Sequence, residues 1–375
     1  MIRVMKVPKM PETYRSNESL NPSSSTTALR VGIVGFGKLA HDYYLPAFRK
    51  LKDVQIVAVA DPLPGCREIA KAKILNVRTY SSYKDLLLHE SPDGILVASP
   101  PSTHLQIWND LSGHGIPIFM EKPFVLFGEL GIVTSTPAAR SLLMVDFNRR
   151  LWPTYRRLGE LVRSGEIGDI EHADFTLRVD VRPWTSVTKH RLSPSEGGPL
   201  YDLGSQVLDL VHYVFEKEPI SIQAQSCSDS PEVDHVKLAV SLAETLTVQC
   251  DLAYGRRNFE SIHVYGSEGH SWIHNPNMAI HTFKKDHSAS KFPAVVQDYL
   301  LLGYRAWQRE RAMMRHTIGQ SLLSFITAIR RRQPFSLGFE HAIQNTLWLE
   351  AASQSLGCGR PVSVHEIKGQ LAWLT

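Results

Sequence analysis

Residues 29–40 read Leu29-Arg30-Val31-Gly32-Ile33-Val34-Gly35-Phe36-Gly37-Lys38-Leu39-Ala40. A short β-branched run ends in glycines and is followed, over residues 38–51, by apolar residues at helical spacing, which predicts strand, tight turn, helix. In G-x-G-x-x-A the first glycine permits the turn and the second lets backbone approach a pyrophosphate. Ala40 allows close helix–strand packing, and the helix N-terminus faces the anion. Alone the motif is weak; its surroundings strengthen it. Residues 54–60 (VQIVAVA) form a second near-continuous apolar run, followed by Asp61, as expected of a parallel strand covered on both faces. A carboxylate there can accept from the adenosine ribose hydroxyls and repels a 2′-phosphate, favouring NAD over NADP.

Further strands are expected at residues 77–80, 94–98, 117–120 and 142–146, with helices at 66–72, 83–89 and 103–111 between them. That alternation predicts a doubly wound parallel sheet, a Rossmann domain over residues 29–150. Residues 151–375 have a different texture. Helices at 153–164 and 204–215 accompany strand-like segments at 170–181, 220–226, 236–242, 246–254 and 261–266. This is an α+β domain on an open-faced, mainly antiparallel sheet. Residues 1–28 are rich in Ser, Pro and Asn without a sustained apolar period, and are read as a disordered arm. Residues 295–329 are expected to be helical, with Arg305, Arg309, Arg311 and Arg315 on a solvated face or an oligomer contact.

The chain of 375 residues is 43% hydrophobic and 21% charged, with 41 basic against 37 acidic side chains. This is ordinary globular usage, too balanced to imply nucleic-acid binding. No apolar stretch approaches the roughly 18 residues of a membrane span, and no secretory leader is visible, so a cytoplasmic protein is expected. Cys66, Cys227, Cys250 and Cys358 are scattered without a C-x-x-C pair, which indicates neither a metal site nor a disulfide framework.

Two segments follow predicted strands where ligands of an open α/β sheet bind: Ser99-Pro100-Pro101-Ser102-Thr103-His104 and Glu121-Lys122-Pro123. A partly desolvated lysine there can work in proton transfer. These segments, with Gly35-x-Gly37-x-x-Ala40, Ala60-Asp61, Phe147-Asn148-Arg149-Arg150 and Gly165-x-Ile167-Gly168, resemble the family of glucose-fructose oxidoreductase and inositol dehydrogenase (Gfo/Idh/MocA). The resemblance continues through Gly197-Gly198-Pro199-Leu200-x-Asp202-x-Gly204, Val264-Tyr265-Gly266-Ser267-Glu268-Gly269 and Gly359-Arg360-Pro361-Val362, covering about residues 29–365.

The resemblance implies an NAD(P)-dependent oxidoreductase that moves a hydride to or from a carbon bearing a sugar, sugar-nucleotide or cyclitol hydroxyl. It also implies dimers or tetramers formed through the second-domain sheet. Lys122, Asp202 and the residue at position 206 would be catalytic. Cofactor contacts would come from Gly35, Phe36, Gly37, Lys38, Leu39, Asp61, Ser99, Pro100, His104, Glu121, Lys122 and Arg149. Substrate contacts would come from Lys122, Trp184, His190, Asp202 and Gln206; no metal is expected. One departure matters. The family's run Asp-x-Gly-x-His-x-x-Asp appears as Asp202-Leu203-Gly204-Ser205-Gln206-Val207-Leu208-Asp209, so Gln206 stands where the catalytic histidine normally sits. Glutamine hydrogen-bonds a hydroxyl but exchanges no proton near neutral pH. Lys122 acting alone, or His190, would have to supply the proton. The competing reading is a dinucleotide-binding regulator without turnover. A smaller departure places Glu196 at the first position of a usual Gly-Gly-Gly turn.

Overall fold

The computed structural model describes residues 28–133, 137–183, 189–193, 196–228, 234–274, 279–285, 289–292 and 306–370. The expected N-terminal arm therefore lies outside the described residues, apart from its last position. In chain order the first unit comprises β1 (Leu29–Val34), α1 (Leu45–Phe48), β2 (Val54–Ala60), α2 (Pro64–Lys73), β3 (Arg78–Tyr80), α3 (Tyr83–His89) and β4 (Gly94–Val97). It continues through α4 (His104–Leu111), β5 (Ile118–Met120), α5 (Pro137–Arg140) and β6 (Leu143–Val145). These six strands form one parallel sheet in the order β3-β2-β1-β4-β5-β6. The direction of winding reverses between β1 and β4, which opens a crevice at their carboxyl ends. Strands β4, β5 and β6 are buried at every position, which explains why they read as continuous apolar runs rather than alternating ones.

The helix expected at 38–51 contains a π-helical turn, Ala40–Tyr44, before α1. Such a widened turn is often found at functional sites; here it carries buried Tyr44.

The second unit begins with α6 (Pro153–Arg163), β7 (Ile170–Asp180) and α7 (Gly198–Phe215). The strands β8 (Ser221–Ser226), β9 (His235–Ser241), β10 (Thr247–Gly255), β11 (Phe259–Gly266), β12 (Gly269–His274), β13 (Ala279–Lys284) and β14 (Ala289–Phe292) follow. The chain closes with α8 (Ala306–Arg331), α9 (Phe339–Cys358), β15 (Val362–Ser363) and α10 (Val364–Gly369). Nine strands pair in the order β14-β13-β12-β11-β7-β10-β9-β8-β15. All neighbours are antiparallel except β7 and β10, which run parallel, so the sheet is mixed at its centre. Along β7, Ala173, Phe175 and Leu177 turn inward while Glu171 and Arg178 are exposed, the alternation of a sheet covered on one face. Helix α7 starts six residues before the expected position, at Gly198, because Gly197 takes a left-handed φ of 78° and Pro199 is accommodated in the first turn.

Helix α8 returns from the second unit to cover the first. Ile318, Leu322, Phe325 and Ile326 repeat at helical spacing and are each 1% exposed. The Phe325 ring lies 5.3 Å from Phe119 of β5. Arg315, one of the arginines expected on a solvated or oligomeric face, donates from Nε to the Asp42 carbonyl at 3.0 Å. Arg305 and the side chains of Arg309 and Arg311 lie outside the described residues. The first sheet ends with β6 at Val145 and the second begins with β7 at Ile170, while α8, from late in the chain, covers the first sheet. Replacing Phe325 with Ala should cost about 3–5 kcal/mol through the cavity left between α8 and β5. Urea unfolding checks this, and the far-ultraviolet and tryptophan signals should shift together.

Candidate active site

Four strand ends and one helix build the site. After β1, Gly35 adopts φ +86°, and a Cβ there would lie 2.7 Å from the Ala98 carbonyl and from Ser99 N. The turn after β1 therefore presses on the turn after β4, and only glycine fits. Asp61, at the end of β2, accepts from Phe36 N at 2.7 Å and Leu63 N at 2.8 Å. Each carboxylate oxygen keeps further lone-pair capacity. A bare glycine turn braced by a buried carboxylate fits a dinucleotide. Gly35, Phe36, Gly37 and Leu39 would lie against its phosphates and Asp61 near its ribose. Lys38 points elsewhere, pairing with Asp42 at 2.8 Å while half-exposed.

The loop after β4 is held by His104, which is fully buried, with Nδ1 2.8 Å from the Pro123 carbonyl and Nε2 3.1 Å from the Ser99 carbonyl. His104 thus ties this loop to the one bearing Lys122. Ser99 Oγ is 2.8 Å from Thr103 Oγ1, and Pro100 precedes the short helical turn Pro101–Thr103. Glu196, the departure noted above, crosses from the second unit, accepting from Ser102 N at 3.1 Å and Ser102 Oγ at 2.7 Å.

At the centre, Lys122 Nζ donates to Asp202 Oδ1 at 2.7 Å and to the Asp202 carbonyl at 2.8 Å. The same carboxylate accepts on Oδ2 from Arg191 and, at 3.0 Å, from the Tyr254 hydroxyl. Burial would push the Asp202 carboxyl up, but Arg191 and Lys122 beside it prevail and hold it well below the usual carboxylate range. Lys122 moves the other way. Burial lowers its pKa and Arg191 adds repulsion, more than offsetting the attraction of Asp202. Burial, with the repulsion of Arg191, therefore weakens the lysine's hold on its proton.

Gln206 and Asp209 follow Asp202 at i+4 and i+7, on one face of α7. Gln206 borders a shallow recess with Asp146, Phe147, Asn148, Arg149 and Asp209. Asp209 is held by Arg150 Nε at 3.1 Å and approached by His341 Nε2 at 2.6 Å. Arg149 is committed to Glu260 of β11, both carboxylate oxygens lying 2.8 Å from Nη1, with its guanidinium over the Trp152 ring. It joins the two units, leaving only its edge to the recess. Trp184 and the His190 side chain lie outside the described residues; the His190 backbone belongs to the helical turn Lys189–Leu192.

Sequence reasoning passed over Arg191, Tyr254, Tyr44, Asp146 and His341. For Asp146 a signal existed: like Asp61 and Glu121, it is an acid immediately after a buried parallel strand. Arg191 neighbours a residue singled out for other reasons, whereas Tyr254 and His341 carry no local signature. Among the described residues no three His, Cys, Asp or Glu side chains converge to hold a metal ion, and no helix is long and apolar enough to cross a membrane.

Residues 29–134 match the family model GFO_IDH_MocA, described as oxidoreductase family, NAD-binding Rossmann fold, and residues 155–271 match the GFO/IDH/MocA C-terminal domain. Inositol 2-dehydrogenase of Rhizobium meliloti (strain 1021) is 28% identical over 258 residues, spanning 64% of this chain and 74% of the relative. D-glucoside 3-dehydrogenase of Escherichia coli (strain K12) is 27% identical over 52% of this chain and 56% of its own length. The solved myo-inositol dehydrogenase from Corynebacterium glutamicum shares the fold, with a TM-score of 0.69, 22% identity, and coverage of 90% of this chain and 98% of that one. With both domain models matched in order over more than half its length, the chain belongs to the GFO/IDH/MocA family of oxidoreductases.

Proposed function

We propose that the protein is an NAD-dependent dehydrogenase acting on a ring hydroxyl of a cyclitol, sugar or sugar nucleotide, with Lys122 handling the proton. The observation that carries this reading is the Lys122 amine, buried at the strand ends and sharing Asp202 with Arg191. NAD, when bound, supplies the hydride acceptor. Lys122 in its neutral form takes the proton of the substrate hydroxyl as the carbon–hydrogen bond breaks, and returns it in the reverse direction. When Lys122 turns to substrate, Arg191 and Tyr254 stay on the other oxygen of Asp202. Gln206 orients a hydroxyl through its amide, which both donates and accepts but transfers no proton. Asp61 favours NAD(H) over NADP(H), since a 2′-phosphate beside it would meet like charge.

The relatives named above, an inositol 2-dehydrogenase and a D-glucoside 3-dehydrogenase, support the substrate class. Assembly through the open sheet and a cytoplasmic location belong to the same reading. Gln206 favours one other reading, a cofactor-binding regulator, which predicts dinucleotide binding without turnover.

Calorimetric titration of NAD, NADH, NADP and NADPH, then a panel of cyclitols, sugars and sugar nucleotides followed by reduced-nicotinamide absorbance, separates the readings. NAD(H) should bind more tightly than NADP(H), and at least one compound should be oxidised. Lys122→Ala should keep NAD binding and lose about 10²- to 10⁴-fold in turnover, the usual worth of a general base; unchanged turnover would remove Lys122 from the mechanism.

Asp202→Asn should cost about 3 kcal/mol at pH 7, the lower end for breaking a buried pair, since Arg191 is partly exposed. The sign of its pH dependence follows from the depressed carboxyl. Its contribution is present above the unfolded value of about 3.9 and fades as pH falls towards the folded one. Urea midpoints of wild type and variant should therefore converge below about pH 4; a gap constant with pH would contradict the ion pairing.

A further inference from the structure

Behind Lys122 lies a second buried group of side chains that the reaction above does not use. The Tyr44 hydroxyl sits 2.5 Å from Glu121 Oε1 and 2.6 Å from Asp146 Oδ2. Tyr44, Glu121 and Asp146 are 0%, 8% and 1% exposed. A phenol has one proton and can donate it to one acceptor. The second oxygen at this range must therefore bring a proton of its own. Two ionised carboxylates would instead leave an oxygen–oxygen contact without hydrogen and two like charges buried side by side.

We infer that Glu121, Tyr44 and Asp146 hold one proton beyond the phenol's own at neutral pH, and that Tyr44 is a positioning residue whose shared proton sets the charge facing Lys122. The influence on Lys122 rests on the dehydrogenase reading; the shared proton itself does not. Three elements bring the group together: the π-helical turn carries Tyr44, and the ends of β5 and β6 carry Glu121 and Asp146. The charged groups facing it are Lys122, which acts on both carboxyls, and Arg191, which acts on Glu121. Asn148 Nδ2 donates to Asp146 Oδ2 at 3.1 Å, and among the described side chains of α8 the neutral Ser321 hydroxyl acts on Asp146. Burial, with Asp146 next in weight, pushes the Glu121 carboxyl up to about 7. Burial likewise raises Asp146. With one net negative charge the group holds the Lys122 proton more weakly than with two, so the neutral amine is easier to reach. The extra proton thus assists a site in which Gln206 replaces the usual proton carrier.

Infrared spectroscopy of the full chain without cofactor or substrate tests the shared proton directly. Wild type at pH 7 should show a protonated-carboxyl carbonyl stretch that shifts in deuterium oxide and fades as the pH is raised. The band should be missing from both Asp146→Asn and Glu121→Gln, each of which leaves the phenol a single carboxylate to serve. Tyr44→Phe keeps the ring packing but removes a donor that stabilises the ionised form, so the midpoint of the band should move upward; a packing role alone leaves it in place. Should a variant not fold, the wild-type titration still decides. Absence of the band at pH 7, or a band that survives in both carboxyl variants, would overturn the inference. Because no ligand is present, failure here is distinct from failure of the dehydrogenase reading, which shows as absence of turnover.

Discussion

One carboxylate holds two cations: Asp202, near the start of α7, binds Lys122 on one oxygen and Arg191 on the other. Lys122 comes from the first sheet and the other partners from the second unit, so the contact joins the halves of the molecule at the point where chemistry is proposed. Burial makes it strong enough to position Lys122. Burial and the nearby Arg191 lower the pKa of the amine. The bracing elsewhere serves the same point. His104 locks the loop of Lys122 to the loop after β4, Glu196 reaches across to Ser102, and Arg149 pairs with Glu260.

The first domain was legible because its signals are local. A glycine turn at Gly35, an acid at Asp61 and unbroken apolar strands each need only a few neighbouring residues to be recognised, and the Rossmann order of strands followed. The second sheet was legible as strands but not in its pairing. The parallel contact of β7 with β10 joins segments about 75 residues apart and leaves no mark in either. Nor does α8 announce that its apolar stripe covers the first sheet rather than the second.

The site divides along the same line. Lys122 and Asp202 were found from motifs, whereas Arg191 and Tyr254 complete the charge arrangement through contacts 11 and 52 residues from Asp202. Tyr44 was hidden for another reason: the π-helical turn shifts the helical register, so ordinary spacing would not aim it at the carboxyls of Glu121 and Asp146. The substitution at Gln206 was plain in the sequence, but its consequence depends on these long-range partners. On the proposed reading a lysine whose pKa burial and Arg191 lower takes the place of the histidine.

The central claim is therefore the state of the Lys122 amine. Titration of the protein labelled with carbon-13 at the lysine ε position, with Lys122 assigned by the Lys122→Arg variant, measures it directly by nuclear magnetic resonance. The arrangement predicts a midpoint below the ordinary lysine value of about 10.4. A midpoint at or above that value would mean that Asp202 binds Lys122 as a plain structural ion pair, and would contradict the account.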